Sequence, residues 1–155
     1  MRAPWRVGPR AVMLSAADMN GIDRSAALVT RARLLAVDDD ASFRALLREV
    51  VRATAHFAIA GEADSGEAAV AAVRELRPDV VLMDIRMPGI GGMKAAEQIK
   101  AANRSTLVVM ISTTHPDEIP LDAYAAFADA LLWKSTLKPR VLDEVWRQHR
   151  IDSDS

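Results

Sequence analysis

The chain has 155 residues, 50% of them apolar and 26% charged, with 20 basic and 21 acidic side chains. That length and balance fit one globular domain with a single core and a short extension, and a net charge of −1 gives no general drive toward nucleic acid or an anionic membrane. The absence of cysteine excludes disulfides, thiol catalysis and a thiolate metal site.

Residues 1–32 are net basic, with Arg2, Arg6, Arg10, Arg24 and Arg31 set against Asp18 and Asp23. Pro4, Gly8, Pro9 and Gly21 interrupt any long helix, so this segment reads as a disordered or weakly structured arm, with a helical turn near Ser25–Thr30. The apolar stretch Ala11–Leu14 is too short for a signal peptide, and Asp18 follows it at once. No apolar run approaches the roughly 20 residues of a membrane span, and a cytoplasmic protein is expected. His56, His115 and His149 are scattered without metal-ligand spacing.

From Arg33 the chain alternates between two periods. Strand 1 is expected at 33–38, and the first helix at 41–54 with Phe43, Leu46, Leu47, Val50 and Val51 inward. Strand 2 is expected at 57–61. A helix starting at Ser65-Gly66-Glu67 turns Val70, Val73 and Leu76 inward and stops before Pro78. Strand 3 is expected at 79–83. The stretch from Met87 to Gly92 is dense in turn residues. A third helix follows at 93–101, then strand 4 at 106–111. Pro116 and Pro120 make 116–128 a poor fourth helix. Strand 5 is 130–133, and a fifth helix at 138–149 buries Val141, Leu142, Val145 and Trp146. Strands apolar on both faces, alternating with helices, predict a doubly wound five-stranded parallel sheet with helices on both sides. The domain is expected over 33–150, with 151–155 a flexible tail too short for an output module.

The polar residues sit where these strands stop. Strand 1 runs into Asp38-Asp39-Asp40, strand 3 into Asp84, strand 4 into Ser112-Thr113 and strand 5 into Lys134. In an open parallel sheet the ligand crevice lies at the carboxyl ends of the strands, so the topology predicts one pocket for all of them. Adjacent carboxylates repel unless a cation offsets them, and Mg2+ takes oxygen ligands from one or two carboxylates, water and phosphate. The plainer alternative is that the aspartates cap the first helix. Asp40 fits that role; Asp38 and Asp39 fit the cation. Asp84 is placed to act as a carboxylate nucleophile toward a phosphoryl donor. Ser112 offers a hydroxyl and Lys134 a compact charge.

From Arg33 to Arg150 the chain resembles the receiver domain of bacterial two-component response regulators. Val37-Asp38-Asp39, Val80 to Gly89, Met110-Ile111-Ser112 and Leu132-Trp133-Lys134-Ser135 carry the likeness in order. The resemblance implies a flavodoxin-like sheet of order 2-1-3-4-5 and a phosphorylation-dependent switch. Asp84 is then the phosphoacceptor. Asp38 and Asp39 hold Mg2+ with Asp84 and the backbone carbonyl of Arg86; Ser112 is the switch hydroxyl, and Lys134 pairs with the phosphoaspartate. The implied partners are a histidine kinase or phosphotransfer protein and a downstream protein target, with a phosphorylation-dependent homodimer among the allowed assemblies. No nucleic acid or membrane contact is expected of this chain. Ser135 after the lysine is similar to receivers that precede LuxR-type helix-turn-helix domains. The chain departs from the family at Leu131, where an aromatic is usual, and at Phe127 and Ala130, where glycines are. Two other readings compete: a phosphatase of the haloacid dehalogenase type using Asp38 as nucleophile, and a receiver-like binding module that is not phosphorylated.

Overall fold

The computed structural model describes residues 5–7, 31–120, 122 and 126–153. Its elements are β1 (Trp5–Val7), β2 (Ala32–Val37), α1 (Ala41–Arg52), β3 (Phe57–Ala63), α2 (Gly66–Leu76), β4 (Val80–Asp84), α3 (Gly91–Ala102), β5 (Leu107–Ser112), β6 (Ala130–Trp133) and α4 (Pro139–Ser153). Short 3-10 turns stand at Pro116–Glu118 and Lys134–Thr136.

The strands form one sheet in the order β1-β6-β5-β4-β2-β3. The pairings from β2 to β6 are all parallel. Counted alone, the five parallel strands take the order 2-1-3-4-5 that the resemblance implies. Their period-two alternation feeds two cores. Leu34, Ala36, Leu82, Val109, Ile111 and Leu132 meet Leu47, Val50 and Val51 of α1 and Leu142 and Val145 of α4. Leu35, Val37, Val81, Met83, Val108, Met110 and Leu131 meet Ala69 and Val73 of α2 and Ala95, Ala96 and Ile99 of α3. The strands β2, β4, β5 and β6 are buried almost throughout on both faces, so their carboxyl ends are left to present polar groups; the edge strand β3 leaves Ala58 and Glu62 exposed.

The caps follow local chemistry. Asp40 accepts a hydrogen bond from the Ser42 backbone N–H at 2.9 Å and starts α1. Ser65 does the same for α2 through the Ala68 N–H at 3.1 Å. Each side-chain oxygen satisfies one of the donors a helix start leaves open.

Some expectations need correction. Trp5–Val7 lies in the arm expected to be disordered or weakly structured; no strand is expected there, but it pairs antiparallel with β6, Trp5 opposite Leu132 and Val7 opposite Ala130. Without it the edge of β6 would present unpaired backbone groups, and a short extended segment satisfies them without any side-chain period. The rest of the arm, including Ser25–Thr30, lies outside the described residues. The helix α4 runs to Ser153, into the stretch expected as tail. Nothing in His149-Arg150-Ile151 breaks a helix, and Gln148 Nε2 donates to Asp152 Oδ1 at 3.2 Å one turn on. The spacing turns Leu46 inward, but it is 50% exposed. The weak fourth helix begins as the 3-10 turn Pro116–Glu118; residues 121 and 123–125 lie outside the described set.

Candidate functional site

Asp38 follows β2 directly and is wholly buried. Its backbone N–H donates to the Ala63 carbonyl at 3.1 Å, which extends the β2–β3 ladder one step past the strand. Its Oδ1 accepts the Asp40 N–H at 2.9 Å, and its carbonyl accepts from Arg44 at 2.6 Å. These bonds fix the carboxylate before any ligand arrives. Asp39, next along, is exposed.

Asp84 ends β4 and is 7% exposed. Burial, and then the nearby charge of Asp38, push its carboxyl above the usual aspartate range; Lys134 and the Arg86 backbone N–H pull the other way. The Arg86 bond sets the first peptides of the following loop beside the carboxylate. Glycine shapes the rest of that loop. Gly92 packs so closely on the Asp84 carbonyl that a Cβ there would overlap it. Gly89 takes φ +82°, in the left-handed region, with the Glu67 carboxylate where its Cβ would stand. Glu67 accepts the Ile90 N–H at 2.7 Å, and that bond holds its carboxyl below the usual range.

Lys134 lies just past β6. Its Nζ is 2.7 Å from Asp38 Oδ2 and 3.5 Å from Asp84 Oδ2, and it sits 4.1 Å from the centroid of the Phe43 ring. Ser112 ends β5, buried, with its Oγ accepting the Thr114 N–H at 3.0 Å.

The sheet therefore brings the sequence candidates to one end. Carboxylate oxygens of Asp38, Asp39 and Asp84 lie within 4.8 Å of one another. Three carboxylates against one ammonium leave excess negative charge, and the donor set is oxygen only. Both features fit a hard divalent cation such as Mg2+. Sequence reading missed three contributors: Glu67 as a clamp on the loop after β4, Arg44 on the Asp38 carbonyl, and Phe43 under Lys134. Glu67 looked like an ordinary acidic residue in a helix first turn. Only the φ > 0 required near Pro88-Gly89 hinted that something had to hold that loop.

An open parallel sheet with acidic oxygens and an ammonium gathered at its strand ends defines a protein suited to binding a cation and a phosphoryl group. The chain belongs to the response regulator receiver domain family, whose model matches residues 34–146. Such domains are the phosphorylation-dependent switches of two-component systems, and they bind Mg2+ at an acidic cluster of this kind. The chain is 32% identical over 113 residues to the uncharacterized transcriptional regulatory protein YxjL of Bacillus subtilis, a match covering 73% of this chain and 52% of that protein. It thus spans about half the length of that relative. It is 36% identical over 113 residues to the chemotaxis protein CheY of Halobacterium salinarum, covering 73% of this chain and 92% of that one. In structure it is similar to the response regulator domain of Thermotoga maritima CheB, with TM-score 0.69 and 28% identity over 78% of this chain and 98% of that one. Among the described residues, no helix is long and apolar enough to cross a membrane.

Proposed function

We propose that this chain is switched by a phosphoryl group that Asp84 accepts from a histidine kinase or phosphotransfer protein in the cytoplasm. The observation that carries this reading is Lys134, whose ammonium reaches both Asp38 and Asp84 inside a cluster of three carboxylates. A carboxylate oxygen of Asp84 attacks phosphorus while the donor's P–N bond breaks, and the imidazole leaves with the electron pair. With acetyl phosphate the P–O bond breaks and acetate leaves. Asp38, Asp39, Asp84 and the Arg86 carbonyl are the groups that would hold Mg2+. When bound, the ion offsets charge on the transferring oxygens. Asp38 holds Lys134 in place, and Lys134 then pairs with the phosphoaspartate. Ser112 turns its hydroxyl from the Thr114 N–H to a phosphoryl oxygen. The altered surface engages a downstream protein or a second copy of the chain.

Asp38 is poorly placed as the nucleophile of a phosphatase. It is fully buried, with one oxygen taken by the Asp40 N–H and the other by Lys134.

Intact mass after incubation with acetyl phosphate and Mg2+ tests the reading. One phosphoryl group should add to the wild type and none to Asp84→Asn. Undiminished labelling of Asp84→Asn would overturn it.

A further inference from the structure

Trp133 occupies an unusual place between the two residues that would meet the phosphoryl group from the β5–β6 side. In the β5–β6 ladder it is the cross-strand partner of Ser112. Along the chain it immediately precedes Lys134. Its indole Nε1–H donates to the Thr113 carbonyl at 3.1 Å, and its ring meets His115 edge-on with centroids 4.8 Å apart at 71°.

His115 is tied in turn to the following 3-10 turn. Its Nδ1 accepts the Asp117 N–H at 3.1 Å, and its carbonyl accepts the Glu118 N–H at 2.9 Å. Trp133 thus ties Thr113 and His115 to β6, while beyond the turn Ile119 is buried in the core of α2 and α3. Strand alternation puts Leu131 on the same face as Trp133, two residues deeper. Leu131 is 2% exposed and packed in the core of α2 and α3, so it has no ring to move and no polar group to donate.

We propose that Trp133 is the positioning residue through which the state of Asp84 reaches the loop after β5. In the resting arrangement its N–H holds the Thr113 carbonyl and its ring braces His115. The Thr114 N–H on Ser112 Oγ completes the closure. When the Ser112 hydroxyl turns to a phosphoryl oxygen, that last bond is given up and the Thr113 peptide moves with it. The indole then loses its acceptor, and His115 comes free of the sheet. The phosphorylated state is therefore read as an open Trp133 latch. This inference rests on the reading of Asp84 as phosphoacceptor.

The test uses the full chain labelled with nitrogen-15. The sequence has three tryptophans, so Trp133→Phe assigns the indole resonance of Trp133 by deleting it. Beryllofluoride with Mg2+ is the phosphoryl mimic. On its addition the Trp133 indole N–H should shift, and its exchange with water should accelerate about tenfold or more as the bond opens. In Ser112→Ala nothing pulls on the loop, so the indole resonance should stay in place at saturating mimic. Trp133→Phe keeps a ring against His115 but removes the donor. It should take up phosphoryl from acetyl phosphate up to about fivefold faster, the effect of one net hydrogen bond, with Mg2+ affinity unchanged. An indole that stays still while the Asp84 backbone amide shifts would overturn the latch and leave the switch reading intact. A mimic that moves neither would overturn both.

Discussion

The β2–β4 side of the site and the β5–β6 side are held in different ways. Asp38 and Asp84 are fixed by backbone donors and by close packing: the Asp40 N–H on one carboxylate, the Arg86 N–H on the other, and Gly92 against the Asp84 carbonyl. Across the sheet, the loop after Ser112 is held by side-chain contacts, one from Ser112 and two from Trp133. It then runs into a 3-10 turn with prolines at 116 and 120, where α-helical bonding cannot stiffen it. In the proposed switch the side that would receive the phosphoryl group is preorganised, so little would be lost in reorganisation during transfer. The side that would report it is fastened by few side-chain bonds, which suits a switching segment. Changes on the β5–β6 side should therefore leave Mg2+ binding intact and alter phosphoryl uptake only by the coupling between the sides.

Lys134 is the bridge between the two sides, and its removal should give the largest effect. Asp38 is wholly buried and Lys134 is its charge partner. Lys134→Ala leaves that carboxylate uncompensated, and breaking a buried pair in this way costs about 3 kcal/mol or more. Urea unfolding at pH 7 should show the loss, and Mg2+ should recover part of it by supplying the missing positive charge. A variant as stable as the wild type without Mg2+ would mean that water reaches Asp38 freely, and the contrast between the sides would fail.

The same contrast explains what the sequence disclosed. Four of the five parallel strands, all but the edge strand β3, are short apolar runs that stop at a polar residue, so Asp38, Asp84, Ser112 and Lys134 could be read as neighbours from topology alone. Cap chemistry was equally local: Asp40 and Ser65 stand one residue before their helices and do what that position predicts. What stayed hidden depends on distant partners. Trp5–Val7 is too short to carry a periodic signal, and its pairing with β6 spans most of the chain. Leu46 has helical spacing, but the apolar stripe of α1 is wider than the surface that covers it. The place of Trp133 is visible only in the register, which sets it opposite Ser112, and in the indole bond to the Thr113 carbonyl.

A pH series on the receiving side should sharpen the comparison. The Asp84 carboxyl is raised above its ordinary 3.8, first by burial and then by Asp38. A raised acid binds its proton more tightly in the folded state, so its ionisation destabilises the fold. The penalty is absent below pH 3.8, grows as pH rises through the elevated folded value, and is complete above it. Asp84→Asn removes it. Without Mg2+ the variant should melt a few degrees above the wild type at neutral pH, and the gain should vanish as the pH falls below 3.8. Mg2+ should shrink the difference by stabilising the wild type alone. A gain independent of pH would trace to packing of the amide rather than to charge.

The smallest effect is expected at Glu67, the clamp that reaches the receiving loop from α2. Its carboxylate accepts the Ile90 N–H and fills the space beside Gly89, whose backbone conformation a side chain would strain. The bond lowers the Glu67 carboxyl below its ordinary 4.5. The sign is opposite to that of Asp84: the clamp is complete above pH 4.5 and is lost as pH falls through the lowered folded value. Glu67 is solvent-exposed, so water competes for the same bond and global stability should barely respond. The local readout is the Ile90 amide. Its exchange, corrected for the intrinsic pH dependence, should lose protection in acid in the wild type. In Glu67→Gln the protection should be lower but independent of pH, since an amide oxygen still accepts and does not titrate in this range. Glu67→Ala should remove the protection at every pH while leaving the Thr114 amide, on the far side of the sheet, as it was. Loss of protection at both amides together would show that the two sides of the site move as one unit.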